Sequence, residues 1–149
     1  MEAVIFIGVQ ASGKSTFFKQ IFYETHIRIN LDMLRTKRRE ELLVAACLEA
    51  KQKFVIDKTN VMAGDREKYI LQAKSHKFSV VGYYFRSNLK DALRRNEQRE
   101  GRAKIEERGV IATYDRLKLP TYSEGFDKLF YVWINENDEF VIEEWKDEV

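Results

Sequence analysis

Gly8-Val9-Gln10-Ala11-Ser12-Gly13-Lys14-Ser15 carries the most specific chemistry in the sequence, matching G-x-x-x-x-G-K-[ST]. Gly8 and Gly13 permit backbone conformations, and a close approach to a ligand, that a Cβ would obstruct. The amides of residues 10–15 can then turn inward toward phosphate oxygens, with the positive end of a helix behind them. Lys14 supplies a full charge to the terminal phosphates, and the Ser15 hydroxyl is a ligand for magnesium. Position 11 is alanine, where many such turns carry a further glycine, and this stiffens the loop. The pattern predicts a bound nucleoside triphosphate. It leaves open whether the phosphate is transferred, hydrolysed or used as a switch.

Three further clusters address that choice. In Asn30-Leu31-Asp32-Met33-Leu34-Arg35, Asp32 follows a short apolar stretch. Strand C-termini in a wound sheet lie beside the phosphates, so Asp32 is expected near the γ-phosphate. There its carboxylate can take a proton from an incoming hydroxyl, help hold the metal, or cap the next helix. Arg35, three residues on, shares the side of a helix that begins near Asp32, and an acid with an arginine suits a phosphorylated acceptor. Phe54-Val55-Ile56-Asp57 ends an apolar strand in an acid, either orienting magnesium through water or satisfied by its own turn, and Lys58-Thr59-Asn60 continues into the cleft. In Arg94-Arg95-Asn96-Glu97-Gln98-Arg99, the i, i+4 spacing places Arg95 and Arg99 on one helix face. Such a pair either neutralises charge on a transferred phosphoryl group or forms a solvated basic face, with Gly101 as a hinge.

These clusters need a scaffold, and the apolar pattern supplies one. Residues 4–7, 27–29, 54–57, 79–85, 129–134 and 140–145 read as strands. Helices are expected after the glycine turn through Phe17, Phe18, Ile21 and Phe22, then with an inner face of Leu42, Leu43, Ala46, Cys47 and Ala50. Others follow Asp65 with Tyr69, Ile70 and Ala73 inside, over 88–100 with Leu89, Ala92 and Leu93, and over 105–117. Alternating strands and helices predict an α/β fold of three layers, a mostly parallel sheet flanked by helices. The turn-rich Asn135-Glu136-Asn137-Asp138 makes the last two strands an antiparallel hairpin, and one domain over residues 1–149 is expected.

Composition narrows the class. The 149 residues are 44% hydrophobic and 13% aromatic, which excludes a disordered chain, and one cysteine excludes a disulfide framework or a cysteine zinc site. The net charge of +2 hides an asymmetry: residues 14–39 hold seven basic and two acidic side chains, 86–118 hold ten and six, and 120–149 hold two and nine. Two basic segments facing an acidic tail imply a local anionic ligand rather than a generally basic surface. The start MEAVIFIGV has an acidic second residue and a short apolar run, unlike a signal peptide or a membrane span. A cytoplasmic protein with no membrane partner is expected. Cys47, Tyr83, Tyr84, Phe85, Trp133 and Trp145 are read as packing residues, and His26 and His76 lack metal-ligand spacing.

The order GVQASGKST, NLDMLR, VIDKTN, RRNEQR resembles the kinase domain of polynucleotide 5′-kinases, including the bifunctional kinase–phosphatases that heal broken nucleic-acid ends. The likeness runs from about residue 4 to about residue 126 and includes Pro120-Thr121 and Glu124-Gly125-Phe126. It implies a P-loop kinase using ATP and Mg2+, with Gly8, Gln10, Ala11, Ser12, Gly13, Lys14, Ser15 and Thr16 around the nucleotide. It also implies Asp32 as general base for a 5′-hydroxyl, Arg35 against the next phosphate of the acceptor, and Arg95 and Arg99 as a helical arginine lid, with Arg99 on the transition state. Lys14, Asp32 and Arg99 would form the catalytic set, and Ser15 and Asp57 would serve the metal. Lys58 departs from the small polar residue often found after the acid of VIDKTN. The implied partner is a DNA or RNA end bearing a 5′-hydroxyl, with phosphatase or ligase steps left to separate proteins or to a larger enzyme of which this is a fragment. Small-molecule P-loop kinases share the core, and a nucleotide-dependent switch is the remaining alternative. Arg35 favours the polynucleotide, whose terminal nucleoside carries a neighbouring phosphate.

Overall fold

An uninterrupted apolar strand is stable only where both faces are covered. Strand β1 (Glu2–Ile7) is of this kind, buried from Ala3 onward. The computed structural model describes residues 1–86, 88–101 and 104–146. In chain order α1 (Lys14–Ile21), β2 (Ile27–Ile29), α2 (Leu31–Leu34), α3 (Lys37–Ala50), β3 (Phe54–Ile56), α4 (Ala63–Ser75) and β4 (Ser79–Phe85) follow β1. Then come α5 (Leu89–Glu97), α6 (Glu107–Arg116), a 3-10 turn (Tyr122–Glu124), β5 (Lys128–Ile134) and β6 (Phe140–Glu144).

The six strands form one sheet in the order β2-β3-β1-β4-β5-β6, parallel except for the antiparallel β5–β6 pair. Side-chain alternation along β1 splits the core in two. Ala3, Ile5 and Ile7 meet Val44, Cys47 and Leu48 of α3 and Tyr69, Ile70 and Ala73 of α4. Val4 and Phe6 meet Phe17 and Phe18 of α1, with Phe22 and Phe85. That second layer is an edge-to-face aromatic packing, Phe6 lying 5.8 Å from Phe17 and 5.0 Å from Phe85. A smaller third cluster joins Val9 to Ala92 of α5 and Val110 of α6. The expected three-layer α/β architecture and terminal hairpin are therefore present. Among the described residues no helix is long and apolar enough to cross a membrane.

Three local expectations need correction. The inner face of α3 is Glu40, Val44, Cys47 and Leu48, while Leu42 is 55% exposed and Ala46 and Ala50 also face out. The face is rotated because Glu40 is drawn inside by Lys58 Nζ at 3.2 Å and by the Tyr69 hydroxyl. Burial, and then Glu40, push the Tyr69 phenol well above its ordinary pKa. Helix α5 stops at Glu97, so Arg99 lies beyond it and does not share a helix face with Arg95. Finally, α2 is a single turn, and Arg35 ends it with φ 76° in place of continuing a helix from Asp32.

The far side of the sheet depends on one fully buried guanidinium. Arg66 is 0% exposed and grips both carboxylate oxygens of Glu124, at 2.8 and 3.1 Å. Its Nη1 donates to the carbonyls of Asn60 at 2.9 Å and Lys118 at 3.1 Å. Gly125, at φ +116°, then delivers Phe126 beneath Gly82, where any Cβ would lie 2.7 Å from the phenylalanine ring. Glu124→Ala strands a buried charge, so unfolding free energy should fall by about 3–5 kcal/mol. The measurement is a urea melt, with a lower midpoint at unchanged slope. A loss below about 1 kcal/mol, the size of an ordinary hydrogen bond, would mean the two carbonyls suffice to hold Arg66.

Candidate active site

β1 and β3 end side by side, and the phosphate turn departs from the first of them. Gly8 is required by contact: a Cβ there would sit 2.9 Å from Ser12 Oγ and 3.0 Å from Phe85 Cβ. Gly13 is required by conformation, at φ +98°. Ala11 takes φ 60° without a glycine's freedom, a strained setting for an L side chain. The Gly8 amide donates to Thr59 O at 2.9 Å, fixing the turn to the loop after β3.

Lys14 folds back into this turn. Its Nζ donates to Gly8 O at 3.0 Å and Val9 O at 2.6 Å. Burial lowers its pKa to about 8, opposed by Asp57 and reinforced by Arg99. Ser15 Oγ donates to Asp57 Oδ2 at 3.2 Å, and Asp57 is only 2% exposed. Arg28, from the middle of β2, donates through Nε to the same Oδ2 and through Nη2 to Ser15 Oγ, each at 2.8 Å. Ser15 and Asp57 offer hard oxygen donors side by side, a set that fits a magnesium ion completing its shell with water and phosphate. Among the described residues no group of three His, Cys, Asp or Glu side chains could hold a metal, so phosphate oxygens would have to contribute.

Asn30 connects the acid to the turn carrying Asp32. Its Nδ2 donates to the Asp57 carbonyl at 2.9 Å, while its Oδ1 accepts the Met33 amide at 2.9 Å as the N-cap of α2. Capping therefore falls to Asn30. Asp32 stands in the first turn with an exposed side chain, and Arg35 and Thr16 are exposed too. Burial depresses the Arg99 guanidinium, while Asp32 and then Asp57 raise it, so Arg99 lies within the field of both acids.

Arg95 has a different outlook. With Val9, Ala11, Ser12, Arg86 and Trp133 it lines a cavity of about 160 Å³ beside the turn. The α5–α6 segment is tied to the turn at two points and braced once within itself. Val9 packs against Val110, Gln10 Nε2 donates to Thr113 Oγ1 at 2.9 Å, and buried Asn96 brackets Ile105. In that bracket the Ile105 amide donates to Asn96 Oδ1 at 2.9 Å, and Asn96 Nδ2 donates back to the Ile105 carbonyl. The Arg99 amide in turn donates to the Asn96 carbonyl at 3.1 Å.

The structure thus gathers Lys14, Ser15, Asp32, Asp57 and Arg99 at one end of the sheet and sets Arg95 on the adjoining cavity. Sequence reasoning did not single out Arg28, Asn96, Glu40 or Thr113. Of these only Arg28 left a signal, a charge between two isoleucines on a strand.

Comparison with known proteins agrees with this fold. The chain is 28% identical over 129 residues to the bifunctional polynucleotide phosphatase/kinase of Schizosaccharomyces pombe, a match covering 84% of the chain and 32% of the relative. It therefore spans about a third of that protein's length. Kti12 of Chaetomium thermophilum, solved with ADP-AlF3, superposes with TM-score 0.72 at 16% identity, over 91% of this chain and 92% of that one. A gluconokinase from Sinorhizobium meliloti gives TM-score 0.61 at 17% identity, over 88% and 81%. These likenesses show an α/β P-loop kinase fold. Residues 36–120, more than half of the chain, match the AAA domain family, and the chain belongs to that family.

Proposed function

We propose that the chain is an ATP-dependent phosphotransferase that moves the γ-phosphate of ATP onto the 5′-hydroxyl of a polynucleotide. The observation that carries the reading is the exposed, uncapped Asp32 carboxylate in the field of Arg99, at the strand ends where the phosphate turn opens. A switch or assembly module has no need of such an acid. The relative's two-part name supports a nucleic-acid acceptor, and Arg35 at the end of the same turn supplies a cation for the phosphate after the terminal nucleoside.

In this reading the triphosphate lies over residues 8–16, held by the amides of Gln10, Ala11, Ser12, Gly13 and Thr16. Lys14 exchanges the carbonyls of Gly8 and Val9 for phosphate oxygens. Magnesium, when bound through Ser15 and water on Asp57, draws charge from the phosphates. The aromatic side of the cavity at Trp133 offers a surface for the nucleotide base, and Arg95 meets the phosphates from there. Asp32 takes the proton of the 5′-hydroxyl as its oxygen attacks the γ-phosphorus. The bond from that phosphorus to the bridging oxygen breaks, giving a 5′-phosphate end and ADP, while Arg99 screens the charge in transit. A phosphatase step, where end healing needs one, belongs to another polypeptide or segment.

The test is transfer of label from γ-labelled ATP to a 5′-hydroxyl oligonucleotide, beside a 5′-phosphate oligonucleotide, a 3′-mononucleotide, a nucleoside and gluconate. Labelling is expected on the hydroxyl oligonucleotide and the 3′-mononucleotide alone. Asp32→Asn should cut kcat by about 10²–10⁴-fold, the usual share of a general base, and leave ATP affinity intact. Label on gluconate or the free nucleoside alone, or full transfer by the variant, would refute the reading.

The Lys14 pKa of about 8 predicts a pH dependence. Only the ammonium form pairs with phosphate, so ATP affinity should fall by roughly tenfold per unit as pH rises above that value. Calorimetry at pH 8.5 in buffers of different ionisation enthalpy should show about one proton taken up with the nucleotide. The stability of the free protein moves the other way. An unfolded lysine titrates at 10.5, so between about 8 and 10.5 the unfolded chain binds more protons and folding gains as pH rises. A flat affinity profile to pH 9.5 would remove Lys14 from the phosphate contact.

A further inference from the structure

Arg28 is absorbed by none of the roles above, yet it makes the shortest contacts at the metal-binding oxygens. Its Nε and Nη2 straddle Asp57 Oδ2 and Ser15 Oγ, 2.8 Å from each. The Ser15 hydroxyl also donates to that Oδ2 at 3.2 Å, so the three groups close a ring of hydrogen bonds. The Asp57 oxygen already accepts two donors, and the serine oxygen has given one of its two lone pairs to the guanidinium. A dication approaching this pair meets a fixed positive charge and competes for the same oxygens.

We propose that Arg28 is a built-in competitor for the divalent cation, a positioning residue that disfavours a bare metal ion at Ser15 and Asp57. The metal is then admitted as its nucleotide complex, because the phosphate charge offsets the repulsion and gives the guanidinium another anion. Several features favour this over a purely structural role. The Arg28 side chain is 27% exposed while Asp57 is 2% exposed, so the guanidinium reaches water while occupying the oxygens that an incoming ion would need. Lys14 and Arg99 also act on the same centre, so Asp57 is not short of positive charge. Strand β2 holds its register through the flanking Ile27 and Ile29, paired with Phe54 and Ile56 of β3, and does not depend on this side chain.

The inference rests on Ser15 and Asp57 being the metal oxygens, and the experiment separates the two ideas. Mn2+ binding to the nucleotide-free protein is followed by electron paramagnetic resonance, for the wild type, Arg28→Met and Arg28→Gln. The glutamine variant keeps an N–H group near the Nε position for Asp57 while removing the charge and the Nη2 donor to Ser15, which guards against misfolding of the methionine variant. Both variants should bind Mn2+ at least tenfold more tightly than wild type and show a larger rise in melting temperature when Mn2+ is added. Adding Asp57→Asn to Arg28→Gln should abolish the gain. Unchanged or weaker Mn2+ binding in folded Arg28 variants would overturn the role given to Arg28. A gain that survives Asp57→Asn would instead overturn Ser15 and Asp57 as the metal oxygens, and the proposal with them.

Discussion

A single carboxylate, buried at the end of a strand, organises this site. Asp57 is almost wholly removed from water, a position that an anion keeps only if cations and donors surround it. Arg28 and Ser15 bind its side chain, Lys14 and Arg99 feel its charge, and Asn30 holds its carbonyl while capping the turn of Asp32. The placement of the Lys14 amine, the Ser15 hydroxyl and the exposed Asp32 carboxylate therefore follows from one backbone position. That position is itself fixed by β3 pairing with β1 on one side and β2 on the other.

Around that acid, positive charge is in excess. Lys14, Arg28 and Arg99 surround Asp57 and Asp32, with Arg95 of α5 on the cavity beside the turn. A folded protein holds such a surplus more readily when an anion is its natural complement. Local geometry is strained in the same region: Ala11, Arg35 and Asn60 all take positive φ, and the buried oxygens Gln10 Oε1 and Asn60 Oδ1 lack a partner among the described residues. The layers on either side hold the strain in place, the aromatic packing of Phe6, Phe17 and Phe85 beneath the turn and the Arg66–Glu124 clasp behind it.

What the sequence made legible was local. The phosphate turn spans eight consecutive residues, and the period of apolar residues located every strand of the sheet, including the hairpin. What escaped was pairing at a distance. Arg28 meets Asp57 across 29 positions and Arg66 meets Glu124 across 58, and no periodicity encodes such partners. The rotated face of α3 has the same origin. Glu40 reads as a surface charge until Lys58 and Tyr69 are seen to satisfy it, and taking it inside turns Leu42 out. The end of α5 was hidden too, since its last turn carries neither proline nor glycine.

That early end of α5 separates Arg95 from Arg99. On an unbroken helix, Arg95 and Arg99 would reach the same atoms from the same side. Instead the chain leaves the helix after Glu97, and Asn96 pins the connection by pairing with the backbone of Ile105. Arg95 is left on the cavity beside Val9 and Ala11, and Arg99 lies within the field of Asp32 and Asp57. Helix α6, which follows that connection, is anchored to the phosphate turn through Val9 with Val110 and Gln10 with Thr113. The contacts of Val9 and Gln10 therefore make α5 and α6 one packed unit with the phosphate-binding turn, and of the two arginines it is Arg95 that lines the cavity beside that turn.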